Sequence, residues 1–145
     1  MTTLYTIGFT KKSLRGFVAL LQEAGVDVIV DTRLRNNSQL SGYAKRDDLA
    51  FVMELLGIAY EHHPDLAPTA EILDTYRKEK DWSRYVRKFN PLITERDIQT
   101  IGHNIFQRYN APCLLCSEAT HEHCHRSLVA EYWTKHIPNL EVIHL

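Results

Sequence analysis

Between Gly25 and Asp31 the chain reads Val-Asp-Val-Ile-Val, a nearly unbroken apolar run at Val26, Val28, Ile29 and Val30. A strand of that composition has no face to offer water, so it belongs in a sheet covered on both sides. The flanking segments supply the cover. Ser13 is placed to cap a helix with Leu14, Phe17, Val18 and Leu21 at i, i+3, i+4 and i+7, and Gly25 is placed to stop it. Leu49, Val52, Met53 and Leu56 repeat that spacing behind Asp47, expected as the cap, with Gly57 as the stop. Leu4–Ile7, Ile58–His62, Cys113–Cys116 and Leu140–Leu145 read as further strands, and Ile98, Ile101 and Ile105 give another helix its buried edge. Strand and helix alternate, which predicts a single α/β domain over residues 1–145: three layers, Rossmann-like, with a mainly parallel sheet of about five strands.

Two stretches resist that pattern. Leu34 to Lys45 is rich in Asn, Ser and Gly and is expected to be a mobile surface loop. Thr69 to Asn90 is helical, with Trp82, Tyr85, Val86 and Phe89 on one stripe. Arg77, Lys80, Arg84, Arg87 and Lys88 form a second stripe if the helix runs on through Asp81. Pro91 and Thr94 are expected to mark a break, with Thr94-Glu95-Arg96-Asp97 resembling a capping pattern.

The chemistry concentrates in Pro112–Trp133, PCLLCSEATHEHCHRSLVAEYW: a buried strand, a polar loop and an amphipathic helix. A strand feeding a helix N-terminus presents free N–H groups and a positive dipole end, so the turn favours anions. Cys116 falls at the strand end and Cys124 at the helix start, either of them a candidate reactive thiolate, because a helix N-terminus and nearby cations lower a thiol pKa. Arg126 and Ser127 sit in the first helical turn, and a guanidinium fork suits phosphate or sulfate. Strand, Cys, loop and Arg-Ser are similar in layout to cysteine phosphatases and rhodaneses, although nine residues, 117 to 125, separate Cys116 from Arg126, more than the phosphatase loop allows. Asp31-Thr32-Arg33 ends another strand and faces the same side of a parallel sheet. Asp31 is a candidate general base, or the partner of Arg33 or Arg126. Cys113 and Cys116, three apart on a strand, point to opposite faces, so no closed zinc pattern is expected and neither metal nor cofactor is assigned.

Charge narrows the partners. Lys and Arg total 17 against 18 Asp and Glu, so nothing global draws the chain to nucleic acid or an anionic membrane, and nucleic-acid contact would need a local patch. The basic stripe beside Tyr76, Trp82 and Tyr85 is that candidate, weighed against an ordinary solvated helix face. Three cysteines, an N-terminus unlike a signal peptide and no long apolar run predict free thiols in a reducing cytoplasm and no membrane.

Across most of the chain these motifs fall in the order of a known family. Thr6-Ile7-Gly8, Ser13-Leu14 with Phe17, Val30-Asp31 with Arg33, Gly57-Ile58 with Tyr60 and His62, and Cys116 with Glu118 through Cys124-His125-Arg126-Ser127 resemble the bacterial and archaeal family called domain of unknown function 488. Phe9-Thr10 and Leu34-Arg35-Asn36 depart from it, where that family often has His-Ser and an aromatic-Pro run. The resemblance implies an α/β fold and a site built from Gly8, Asp31, Arg33, Cys116, Glu118, Cys124, His125 and Arg126; it implies no reaction. The expectation is an anion-binding protein, an enzyme acting on a phosphate-bearing small molecule or nucleic acid. Arg126 and Arg33 clamp the anion with help from Gly8, His125 and Ser127. Cys116 or Cys124 supplies a thiolate, and Glu118 orients Arg126 or moves a proton. The alternatives are a non-catalytic ligand- or metal-binding module, and sulfur transfer through a Cys persulfide.

Overall fold

Five strands pair in the order β3-β2-β4-β1-β5, every neighbour parallel, in a computed structural model that describes residues 1–145. They are β1 (Thr2–Gly8), β2 (Val28–Asp31), β3 (Ala59–His62), β4 (Pro112–Cys116) and β5 (Leu140–His144). The helices are α1 (Leu14–Ala24), α2 (Arg46–Leu55), α3 (Ala70–Glu79), α4 (Trp82–Glu95), α5 (Ile98–Arg108) and α6 (His125–His136). None is long and apolar enough to cross a membrane.

Handedness explains the layers. From β1 the chain steps to β2 and on to β3 in one direction, so right-handed crossovers put α1 and α2 on one face. It then reverses to β4 and β5, which sends α4, α5 and α6 to the other. The buried clusters follow suit. Ile7, Ile29, Cys113 and Leu115 pack with Phe17, Leu21, Leu49 and Met53. Leu4, Val28, Val30 and Leu114 pack with Phe89, Ile93, Ile105, Val129 and Trp133. Val28 and Val30 thus serve one face of the sheet and Ile29 the other, as the apolar run requires.

Several local features differ from the sequence expectation. The α3–α4 segment is not one helix: Lys80 takes a left-handed conformation (φ 55°), and Asp81 caps α4 by accepting from the Arg84 amide. Pro91 does not end α4, which runs on to Glu95. A proline there removes one amide donor, while Tyr85, Phe89 and Ile93 keep a continuous buried edge across it, and that burial outweighs the lost bond. Asp97, also left-handed, marks the true junction with α5. Helix α2 begins at Arg46, with Asp47 in its first turn rather than at its cap. The 34–45 segment is anchored: Gln39–Ala44 forms a 3-10 turn, Ala44 is buried, and the Tyr43 hydroxyl donates to the Phe9 and Lys12 carbonyls. Ser13 and Gly25 bound α1 as expected.

Candidate functional site

The connections leaving β1 and β4 run in opposite directions, so the edge between these neighbouring strands is the switch point of the sheet, where open parallel sheets hold ligands. The chain closes over it tightly. Arg126 Nη1 donates to the Glu118 carbonyl (2.9 Å), and Thr10 donates to the Ser117 carbonyl. The Glu118 carbonyl lies where a Cβ on Gly8 would be, so residue 8 must be glycine for the β4 loop to cross the end of β1. Gly8 therefore makes room for the loop.

A cleft of about 510 Å³ opens beside this crossing. Residues after β2 (Arg33, Arg35), after β4 (Cys116, Glu118), at the start of α6 (His123, Cys124, His125) and on α3 and α4 (Tyr76, Arg77, Lys80, Tyr85) line it. Its volume falls in the range of small-molecule sites. The sulfurs of Cys116 and Cys124 meet as a disulfide, their Cα atoms 7.5 Å apart, and only Cys113 is a free thiol. Three free thiols were expected. The difference arises because the strand end and the helix start, eight residues apart in sequence, converge on one wall. Cys113 is buried on the opposite face of the sheet, and burial pushes its thiol pKa up.

Asp31 is fully buried and has its lone pairs occupied. It accepts from the Arg33 amide, from Arg33 Nε (2.9 Å) and Nη2 (2.8 Å), from Asn36 Nδ2 and from the Tyr60 hydroxyl. Burial alone would raise its pKa; the Arg33 and Tyr60 bonds outweigh it and hold the carboxyl below its ordinary value. This geometry serves the holding of Arg33, rather than general-base work or a bond to Arg126. Arg33 is 3% exposed, its guanidinium rests over the Phe9 ring at 5.3 Å, and Nη1 has no protein partner. A buried, unsatisfied guanidinium nitrogen is rare in a native interior.

Arg126 also turns inward. It is 1% exposed, and besides the Glu118 carbonyl it donates to Thr6 Oγ1 (3.2 Å) and Cys116 Sγ (2.9 Å). Arg126 is bonded to Cys116 and lies behind the cleft, whereas Arg33 lines the cleft together with Cys116 and Cys124. Glu118 holds Arg126 through its backbone carbonyl, which leaves its exposed carboxylate free on the cleft wall. Ser127 Oγ donates to the Cys124 carbonyl and steadies the helix start. His125 Nε2 contacts the Thr32 carbonyl (2.7 Å); a carbonyl only accepts, so that nitrogen carries the proton and Nδ1 is the basic one. Burial, with the field of Arg126, lowers the His125 pKa to about 4, and the imidazole is neutral at pH 7. No group of three or more His, Cys, Asp or Glu side chains gathers with metal-holding geometry.

The basic stripe divides at Lys80. Arg77 and Lys80 face the cleft, while Arg84 pairs with Glu79 and, with Lys88, borders a separate groove between α3 and α4. An aromatic stack that periodicity in α4 alone did not reveal joins the helices to the α6 loop: His123 over Trp82 (5.2 Å, 26°) and Trp82 over Tyr85 (4.8 Å, 17°).

Fold and site together define a doubly covered, all-parallel α/β domain with a cationic, cysteine-bearing cleft at its switch point. The family model described as domain of unknown function DUF488 matches residues 13–133, and the chain belongs to that family. No curated protein and no solved structure matches it.

Proposed function

We propose that the protein is an enzyme that binds a phosphate-bearing ligand of nucleotide size, a nucleotide or a short single-stranded nucleic acid, in the strand-end cleft. The observation that carries this is Arg33, which lines the cleft, is held by Asp31 and keeps Nη1 unpartnered just beneath the cleft surface. A phosphate oxygen entering the cleft pairs with that nitrogen once the side chains covering it shift aside. Arg77 and Lys80 flank the same space without carboxylate partners, and Arg35 is oriented by Asp74 (2.8 Å). The N-terminus of α6 adds its unpaired amides. Tyr76 and His123 line the cleft with aromatic rings suited to a base, and base–aromatic stacking is worth roughly 1–3 kcal/mol per base. Glu118, His123 and His125 are the acid–base side chains that line the cleft.

The experiment is a titration of the full chain with inorganic phosphate, a nucleoside monophosphate and the matching nucleoside, followed by calorimetry. Arg77 and Lys80 are exposed and unpaired, so Arg77→Ala with Lys80→Asn, a residue that tolerates the left-handed backbone, leaves the fold intact. The expected result is binding of the monophosphate above phosphate and well above the nucleoside, weakening with salt and falling at least tenfold in the double variant. Equal binding of nucleoside and nucleotide, or an unchanged double variant, would overturn the proposal.

A further inference from the structure

Arg126 is among the largest fully buried side chains, yet no carboxylate pairs with it. Its partners are a hydroxyl, a carbonyl and a sulfur. Thr6, having accepted from Arg126 Nε, is left to donate to His144 Nδ1 (2.6 Å), so the chain of bonds ends on a neutral imidazole. Burial, then the fields of His121 and Arg126, lower the His144 pKa and keep it so. Lys12 brings a second cation, its ammonium reaching the Ala119 carbonyl (3.4 Å). The Glu118 side chain acts on Arg126 only through the field of an exposed carboxylate, and an interior guanidinium without a directly paired counter-charge is strongly unfavourable. Of the atoms bonded to it, the one able to carry negative charge is Cys116 Sγ, at 2.9 Å.

The geometry points to a dithiol–disulfide exchange centre in which Cys116, when reduced, is a thiolate paired with Arg126, Cys124 is the second thiol, and the co-substrates are low-molecular-weight disulfides and thiols. In the oxidising direction the Cys116 thiolate attacks one sulfur of a small disulfide; a mixed disulfide forms and one small thiolate leaves. The Cys124 thiol then gives its proton to solvent and attacks Cys116 Sγ. The intramolecular disulfide forms and the second small thiolate departs, so two electrons pass from the protein to the small disulfide. The reverse sequence reduces the protein.

The charged groups around Cys116 bear on its state, Arg35, Arg77 and Lys80 among them across the cleft. Arg33, across the cleft lining, has its charge offset by Asp31, while Arg126, Lys12 and the N-terminus of α6 favour the thiolate. The Glu118 carboxylate opposes it from an exposed position, and His125 and His144 are neutral. Oxidation removes the counter-charge of Arg126, so the disulfide is readily reduced, as in pairs whose reduced form is stabilised. The centre rests on Arg126 and two sulfurs, whereas phosphate binding rests on Arg33 and the α3 cations, so each can fail alone.

Two measurements test it. In Cys124→Ser, the rate of iodoacetamide labelling at Cys116, located by peptide mass spectrometry, should change less than threefold between pH 8 and pH 6. A thiol titrating near 8.5 slows roughly 80-fold over that interval, and such a fall would overturn the thiolate. Comparing rates at two pH values cancels the low accessibility of the site. In the unsubstituted chain, oxidised and reduced glutathione in varying ratio, followed by acid quench and alkylation, should give a reversible loss of two thiols. In Arg126→Met, checked for fold by circular dichroism, the equilibrium should move at least tenfold toward the disulfide. Absence of the intramolecular disulfide at every glutathione ratio would also overturn the centre.

Discussion

His125 shows how one side chain ties the cleft to the stability of the fold. Its Nε2–H is given to the Thr32 carbonyl, and Thr32 Oγ1 in turn donates to the Leu115 carbonyl (2.8 Å), so the imidazole bridges the start of α6 to the ends of β2 and β4. Its folded pKa of about 4 lies below the ordinary value of 6.5, chiefly through burial. Between those values the unfolded chain takes up a proton that the folded chain refuses. Stability is therefore full above about pH 6.5, declines as pH falls through this window, and levels off below about pH 4, a loss on the order of 3 kcal/mol. Urea titrations at pH 7, 5.5 and 4 should show that decline; His125→Gln should remove the His125 share and leave the part that comes from His144, whose pKa burial also lowers. Asp31 adds a further loss only at lower pH, since its folded pKa is held below the carboxylate range. The same residue scale separates Arg33 from Arg126. As letters in a sequence both are cations near a strand end; one is presented to the cleft by a carboxylate and the other is drawn beneath it by a sulfur.

At the scale of elements, two junctions position the cleft. The break at Lys80 turns α4 back on α3, bringing Tyr76 and Tyr85 within 5.1 Å and leaving Arg77 and Lys80 over the strand ends. The contact of α5 with α6 fixes the helix that carries Arg126. There Gly102 faces Trp133, and a Cβ on residue 102 would stand 2.8 Å from Ile137 Cδ1 and 2.9 Å from Trp133 Cε2. Alanine is the better helix former by about 1 kcal/mol, but overpacking a rigid indole costs about 1–3 kcal/mol. The second effect wins because Trp133 is fully buried and tied by Nε1 to the Ile98 carbonyl (3.0 Å). Gly102→Ala should therefore lower stability by about 1 kcal/mol, read from the denaturant midpoint. A gain in stability would mean the α5–α6 contact is looser than drawn.

For the whole molecule, the two tryptophans report on different places. Trp133 lies in the core, while Trp82 stands at the cleft margin against His123. A nucleotide seated beside His123 should change the fluorescence of Trp82; Trp82→Phe should abolish that response and keep the Trp133 signal. Much of the architecture was legible beforehand, because it follows from local pattern. Val28, Ile29 and Val30 demanded cover on both faces, Ser13 and Gly25 bounded a helix, and the strand ends carried the polar residues. Pro91 misled because a local breaker is overruled when Tyr85, Phe89 and Ile93 gain their burial only in a continuous helix. The sequence by itself determined the layers, since the period of apolar residues is written residue by residue. Tertiary structure alone decided the strand order, the meeting of Cys116 with Cys124, the need for glycine at residue 8 and the opposite fates of two arginines. Each of these is a contact between segments distant along the chain, created only when the sheet closes, and no local period encodes it.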